Sequence, residues 1–409
     1  METIKRIIEF IGFCAEHAFT GGRIFWIWLS FWVFLASVGI FSWMEQWDKG
    51  MVVTGLSDQV SWGLYVANFT YLVGVAAAAV MLVIPAYIFH NQEAKRVVIL
   101  GEALAVAACI MAILFVTVDM GRPDRIWHFS PIIGKFNWPA SLLTWDVIVL
   151  TGYLLLNLLL PGYILYHDYH GGKANKLTIN GLAVLSMFWA ISIHTITAFL
   201  FISNTSRPFW HSALSAPRFL ASAFTSGPAF IILTFALMHK VKLFNIGWKI
   251  IDFLAIIVAV SMQINLIMLL AEVFTEFYNE GAHSASAHYL FLGLKGYNNL
   301  VPWIWTAIAL NLIAVVLLMM KKTREHHKTL ILACSMAIVG VWIEKGMGFV
   351  VPGFIPTPIG EIYEYSMTWM EIKISIGILA IGMIVFTLML NALIPLKARE
   401  LGADFSHHF

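Results

Sequence analysis

Charge is what this sequence has least of. Only 12% of its 409 residues are Asp, Glu, Lys or Arg, against roughly 25% in an ordinary soluble domain. Hydrophobic residues make up 60% and mean hydropathy is +0.82, which excludes a soluble globular chain and predicts an all-α integral membrane protein. The net charge is +2, so no basic surface argues for nucleic acid. Cysteine is scarce too. Cys14, Cys109 and Cys334 stand far apart, with no C-x-x-C or C-x-x-C-H, which argues against a disulfide framework, covalent haem or iron-sulfur clusters housed in this chain. The opening METIKRIIEFIGF lacks the small-residue cleavage pattern of a secretory signal, so the first apolar run is expected to stay as an anchor.

What the sequence does have is long apolar runs. A bilayer-crossing helix needs roughly 20 mostly apolar residues, and ten candidates lie near 23–44, 63–89, 97–118, 141–166, 178–204, 219–238, 247–274, 301–320, 328–351 and 371–393. No linker is long enough for a second domain, so residues 1–409 read as a single membrane domain. Lys and Arg in the short loops set orientation. The side holding both termini carries 15 of them, Arg96, Lys242, Lys397 and Arg399 included, and the other side 7. Both termini are therefore expected in the cytoplasm. Arg122, Arg125, Arg207 and Arg218 break the trend on the outer side. Each stands beside a Pro or Asp, in GRPDR, SRPFW and APRF; singly each could anchor a helix end at the headgroups, but together they point to a polar site or docking surface.

Ionisable groups within the hydrocarbon cost about 2.5 kcal/mol or more each near its centre, so they usually face a bundle interior and often serve function. Asp119 ends the third helix and Asp146 lies just inside the fourth, while Tyr65, Asn68 and Tyr71 occupy the outer part of the second. By the assigned topology these meet at one end of one bundle. His194 lies 16 residues into the fifth helix, toward the same side. Each has a plainer reading: a Tyr or Asn at an interface, a His bonded to a backbone carbonyl, an Asp complementing the helix dipole. Their convergence favours function.

The second half is arranged in parallel. Helices three and seven both carry an acid near each end, Glu102 and Asp119 in one, Asp252 and Glu272 in the other, spans of roughly 25 to 30 Å at 1.5 Å per residue. Glu344 in helix nine matches His194 in depth, and its neighbour Lys345 cannot share its direction, because only positions three or four apart face each other on a helix. Glu102, Asp252, Glu272, Glu344 and Lys345 are candidates for a proton path, with a purely structural role as the alternative. Two four-helix bundles follow, helices 2–5 (62–204) and 6–9 (219–351), flanked by helices 1 and 10. His194 is the one histidine well inside a span, so paired axial ligands for haem b are lacking, and no metal site is expected.

Several stretches together carry a resemblance. WGLYVANFTYLVGVAAAA (62–79), DMGRPDRIWHF (119–129), FNWPASLLTWDVIVL (136–150), SRPFWHSALSAPRFLASAFTSGP (206–228) and IEKGMGFVVPGFIPTPIGEIYEY (343–365) resemble the NrfD/PsrC family of quinone-interacting membrane subunits. Within its ten-helix branch they look most like the membrane subunits of Dsr, Hmc or Qrc-type complexes of sulfate reducers. The resemblance implies a menaquinone or other quinone pocket near the periplasmic end of the first bundle, and no haem or iron-sulfur cluster in this chain. It implies a ferredoxin-like iron-sulfur subunit over that face, often with multihaem cytochrome c beyond, in a bacterial or archaeal cytoplasmic membrane. Carried onto this sequence, the pocket comprises Asn68, Tyr71, Asp119, Arg122 and Asp146, with Tyr65 and Trp138 beside them as binding candidates. Asp119, Asp146 and His194 are the candidates for moving protons. Some branches place a His where this chain has Asp119 and another where it has Tyr71.

Two rival readings come from other classes. A secondary transporter also carries acids at mid-depth, but transporters commonly break helices at corresponding positions of two halves, whereas Gly and Pro here cluster mostly at helix ends, as in GRP, LPGY and VPGF. A structural anchor for a peripheral enzyme would differ in lacking quinone.

Overall fold

The structure, a computed structural model, describes residues 2–240, 247–279, 281 and 284–401, with backbone alone at Ala78, Arg96, Ile394 and 397–401. Lys242, one of the cations used for orientation, lies outside the described residues, as do the side chains of Arg96, Lys397 and Arg399. Apart from one isolated bridge, Leu294 to Tyr297, the regular structure among the described residues is helical. Among the described residues ten helices are long and apolar enough to cross a membrane: span 1 Arg23–Lys49, span 2 Leu64–Ile88, span 3 Val97–Asp119, span 4 Leu142–Tyr169, span 5 Lys176–Ile202, span 6 Ser215–Lys240, span 7 Trp248–Asn279, span 8 Val301–Met319, span 9 His327–Phe354 and span 10 Trp369–Leu393. Each coincides with an expected apolar run to within about five residues.

Local chemistry explains several boundaries. Asn91 caps span 3's helix, its Oδ1 accepting from the Glu93 and Ala94 amides at 2.9 and 3.1 Å, and Asn175 caps span 5 through the Leu177 amide at 2.9 Å, the role a short polar side chain plays before a first turn. Thr368 and Glu371 open span 10 as a reciprocal box: the Glu371 carboxylate accepts from the Thr368 amide at 2.9 Å, and the Thr368 hydroxyl accepts from the Glu371 amide at 3.4 Å. The sequence signature is T-x-x-E. Short π-helical stretches interrupt two spans, Ile84–Ile88 at the end of span 2 and Trp342–Met347 inside span 9; such bulges concentrate at functional sites.

Neighbours follow a simple order. Spans 2 to 5 pack each on the next and span 5 returns to span 2; spans 6 to 9 do likewise; spans 2 and 5 meet span 6, and span 2 meets span 9. Spans 1 and 10 pack on one another, and span 10 lies along span 3. The first and last spans touch at two glycines: a Cβ on Gly39 would lie 2.4 Å from the Gly377 Cα, a backbone approach open only to very small residues. An additional helix, Glu2–Ala18, precedes span 1, with Ile4, Ile7, Ile8 and Ile11 exposed along one side. Asn391 in span 10 donates to the carbonyls of His17, Ala18 and Thr20, tying the start of span 1 to the far part of span 10. Aromatic side chains link span 5 and Trp62, just before span 2, to span 9. Trp210 stacks on Trp62 at 5.5 Å, meets Phe201 and Phe354 edge-on and donates its Nε1 hydrogen to the Phe349 carbonyl at 2.9 Å.

Candidate functional site

The end of the molecule that carries Asp119 gathers buried polar groups from four spans. Gln46, near the end of span 1, donates from Nε2 to the Val118 carbonyl at 2.8 Å and accepts the Tyr65 hydroxyl at 2.6 Å. Both side chains are buried. Asp119 follows Val118 at the end of span 3, within electrostatic range of Tyr65 and Glu371. Its Oδ1 is buried and has no hydrogen-bond partner among the described residues.

Glu371 is fully buried and well supplied with donors: the Gly55 amide at 2.8 Å, the Thr368 amide and hydroxyl, and the Tyr365 hydroxyl. The Tyr365 hydroxyl also accepts from the Leu64 amide at 2.9 Å. Burial, with Glu371 beside it, pushes the Tyr365 phenol well above its ordinary value, so it stays a neutral donor. The side chain fits because residue 63 is glycine; a Cβ there would lie 2.4 Å from the Tyr365 ring.

The other expected site residues fall into two further strings. Asn68 and Tyr71, one turn apart, turn toward spans 9 and 10. The Asn68 amide donates to the Ser375 hydroxyl at 3.3 Å and its oxygen accepts the Trp342 Nε1 hydrogen at 2.8 Å, while the Tyr71 hydroxyl donates to the Ile338 carbonyl at 3.2 Å. Asp146 lies between spans 4 and 5 and accepts the Thr197 hydroxyl at 2.8 Å. One turn deeper, His194 is wholly buried, its Nδ1 2.7 Å from the Ala190 carbonyl and its Nε2 without a partner among the described residues. With Nδ1 donating to the carbonyl, Nε2 is left as the basic nitrogen. The structure thus sets Tyr65 within electrostatic range of Asp119, Asn68 one turn from Tyr71, and Asp146 on Thr197, one turn from His194; it gives the three pairs different hydrogen-bond partners. Arg122 points out to solvent and grips Asp124 in a two-pronged pair at 2.9 and 2.8 Å rather than reaching Asp119; the Asp124 carboxyl is held below its ordinary value by that guanidinium. Trp138 is exposed and lies against Trp145.

Spans 6 to 9 hold a second polar centre. Arg218 bonds both Glu272, which also accepts the Ser212 hydroxyl at 2.8 Å, and Glu344 at 2.8 Å. Glu344 accepts further from Asn265 at 2.9 and 3.1 Å and from Asn311 at 2.8 Å. Lys345 turns the other way. Its ammonium lies 4.3 Å from the centre of the Phe219 ring and 3.4 Å from the Phe219 carbonyl, and a Cβ on Gly74 of span 2 would come within 3.2 Å of it. Lys345 therefore lies against span 2 at Gly74, one turn beyond Tyr71. A cavity of about 10 Å³ among Arg218, Asn265, Glu344 and Lys345 has room for about one water.

The acids at the opposite end differ. Asp252 pairs with Arg324 at 2.7 Å, whereas both oxygens of Glu102, buried in span 3, lack partners among the described residues. A larger cavity of about 690 Å³ lies there between spans 2 and 7, but it is walled by residues such as Met81, Ile84 and Phe253, with Glu93 and Lys249 at its polar side, neither of them buried. Among the described residues no three His, Cys, Asp or Glu side chains come together as a metal would require.

Sequence reading passed over Gln46, Thr197, Asn265, Asn311, Tyr365, Glu371 and Ser375. The amides at mid-depth in apolar helices and the T-x-x-E box were the available signals.

Comparison with known proteins fits this architecture. The chain is 25% identical over 400 residues to a putative membrane subunit of dimethyl sulfoxide reductase from Halobacterium salinarum, covering 88% of each. It is 24% identical to a selenate reductase subunit of Mesobacillus selenatarsenatis, covering 91% of this chain and 95% of that one. It is 25% identical to the Hdr-like menaquinol oxidoreductase integral membrane subunit of Archaeoglobus fulgidus, covering 86% and 90%. The model of the polysulphide reductase family NrfD matches residues 52–351, almost three-quarters of the sequence, and the chain belongs to that family.

Proposed function

We propose that this chain is the quinone-handling membrane subunit of a multisubunit respiratory redox complex, exchanging electrons between menaquinone or menaquinol and an iron-sulfur subunit on the periplasmic face. The observation that carries the reading is the buried oxygen of Asp119, beside Tyr65 and without a partner among the described residues, at the end of a span in a family whose relatives include a menaquinol oxidoreductase subunit. Leaving a buried polar atom unsatisfied costs free energy, roughly 1–3 kcal/mol, and a ligand group with a hydroxyl or carbonyl would relieve it.

The residues fit a quinone headgroup. The quinone would supply the two-electron chemistry; the chain supplies positions for protons and hydrogen bonds. Asp119 offers Oδ1 to a headgroup oxygen and exchanges its proton there, the carboxyl being held by the end of span 3. Tyr65 lies beside it on span 2 with Asn68 about one turn further along, and Asp146 and His194 line the route by which a proton leaves between spans 4 and 5, His194 receiving it at Nε2. Arg122, paired outside with Asp124, belongs to the rim. The exposed segment holding Ile126, Trp127, Ile132, Ile133 and Trp138, together with Arg125 and Lys135, is the docking face for the iron-sulfur subunit, with multihaem cytochrome c beyond it.

In this reading both termini are cytoplasmic, spans 2–5 form a quinone bundle, and spans 6–9 form a proton-conducting one. Lys345, next to Glu344 in the chain and packed against Gly74 of span 2, links them; Glu272 leads toward one face, and Asp252 and Glu102 toward the other. Asp119→Asn in the purified native complex is expected to abolish quinol turnover while the complex still assembles. Retained turnover in that variant removes Asp119 from the chemistry. Proteoliposomes that turn over without moving protons would refute the conducting role.

A further inference from the structure

The family-matched segment ends before span 10 and begins after span 1, yet the groups around Tyr65, Asn68 and Asp119 are held from outside that segment. Gln46 of span 1 bonds the Tyr65 hydroxyl and the carbonyl of the residue before Asp119, at 2.6 and 2.8 Å. Ser375 of span 10 accepts the Asn68 amide at 3.3 Å. The connection from span 9 to span 10 delivers Tyr365 to the Leu64 amide, and Glu371 anchors both that connection, through Thr368 and Tyr365, and the segment before span 2, through Gly55. Gly39 and Gly377 let the two outer spans touch backbone to backbone, so these contacts come from one unit.

We infer that spans 1 and 10 form a clamp that sets the quinone site, with Gln46 as a positioning residue for Asp119 and Tyr65, and Glu371 as the anchor of the clamp's strap over span 2. This rests on the reading of Asp119 as the quinone-facing carboxyl. The chemistry is specific. Bonding the Val118 carbonyl and the Tyr65 hydroxyl together takes a donor and an acceptor on the same carbon, and a primary amide has both. Val118 and Asp119 are adjacent, so a shift of that carbonyl moves the carboxyl that follows it. The Asp119 Oδ1 itself lacks a partner among the described residues, which leaves Gln46 to fix this end of span 3.

The test uses the native complex carrying Gln46→Leu, Gln46→Glu, Tyr65→Phe or Asp119→Asn, with co-purification of the partner subunits as the measure of assembly. Affinity is read by titrating a fluorescent quinol-analogue inhibitor, and turnover by the pH profile of menaquinol oxidation. Gln46→Leu is expected to raise KM and inhibitor Kd about tenfold, the equivalent of one misplaced buried hydrogen bond, and to displace the pH profile. Gln46→Glu keeps the acceptor for Tyr65 but when ionised sets a buried charge against the Val118 carbonyl, so its affinity should fall at least as far as that of Gln46→Leu. Tyr65→Phe combined with Gln46→Leu should cost less than the two separate losses added, since both remove one bond. An assembled Gln46→Leu complex with wild-type KM, Kd and pH profile overturns the clamp when Asp119→Asn is inactive. If Asp119→Asn is itself active with unchanged Kd, the quinone reading fails, and the clamp with it. Should Gln46→Leu not assemble, the assembled Tyr65→Phe decides alone: an unchanged Kd and pH profile overturns the inference.

Discussion

Arg218→Met is the perturbation whose outcome the structure fixes most tightly. The guanidinium is 13% exposed and bonds two carboxylates, Glu272, itself 17% exposed, and Glu344, 2% exposed. Removing one partner of a buried ion pair costs about 3–5 kcal/mol, because the remaining charge is left uncompensated in a poorly polarisable interior. Here two charges are left. Glu344 keeps three contacts to the amides of Asn265 and Asn311, and hydrogen bonds to a charged group contribute about 1.5–3 kcal/mol each, so the loss should lie near the lower end, about 3 kcal/mol. Methionine nearly fills the arginine stem's volume, so a cavity adds little. The decisive arm is the double variant. Glu344→Gln in the Arg218→Met background removes the more deeply buried of the two stranded charges, and at least half of the lost stability should return. Unfolding of the purified chain in mixed micelles of rising SDS fraction, followed by tryptophan fluorescence, gives the ranking. An Arg218→Met protein within about 1 kcal/mol of wild type, or a double variant no better than the single one, refutes the claim that Arg218 compensates these acids.

Other expectations follow from single contacts. Gly39→Leu should separate spans 1 and 10, seen as lost thermal stability and faster proteolysis near the termini, since its Cβ would collide with the Gly377 Cα. Gly353→Ala places a Cβ 2.1 Å from the Trp210 ring and should destabilise the chain by about 1–3 kcal/mol, measured by the same unfolding assay. Lys345→Met should cost less stability than Arg218→Met, because among the described residues the ammonium's one hydrogen bond is a 3.4 Å contact to a carbonyl; an equal loss would mean that it compensates Glu344 as well.

The ten spans were legible because each apolar run is long enough to cross the hydrocarbon and is closed by charge, glycine or proline, a signal that does not depend on neighbours. The depth of the acids was legible for the same reason. Which groups touch was not. Glu344 and Lys345 could be expected to face different helices from helical geometry alone, and they do, Glu344 toward spans 6, 7 and 8 and Lys345 toward Phe219 and Gly74. That Arg218, and not Arg122, would turn inward to meet an acid has no local signature: each lies beside a proline, and only the packing of span 6 against spans 7 and 9 separates them. Gln46 and Glu371 escaped because each lies at the end of an apolar run, where polar residues are ordinary, and each acts on residues distant in the chain.

The acids of spans 3 and 7 have like positions and unlike surroundings. Each span carries an acid near each end, yet in span 7 Asp252 and Glu272 both hold arginines, Arg324 and Arg218, while span 3's Glu102 and Asp119 both keep buried oxygens without partners among the described residues. A paired carboxylate contributes to folding and is costly to neutralise; an unpaired one contributes nothing to folding that its amide could not supply. Asp119→Asn and Glu102→Gln should therefore leave unfolding unchanged within about 1 kcal/mol, and Glu272→Gln and Asp252→Asn should each lower stability by more than that, the Asp252 variant most, because it takes from Arg324 its paired carboxylate while Arg218 keeps Glu344. If Asp119 and Glu102 serve proton exchange, stability and turnover must respond oppositely to substitution in the two spans. Substantial destabilisation by Asp119→Asn would show instead that its carboxylate is a structural group, and the quinone reading would lose the observation it stands on.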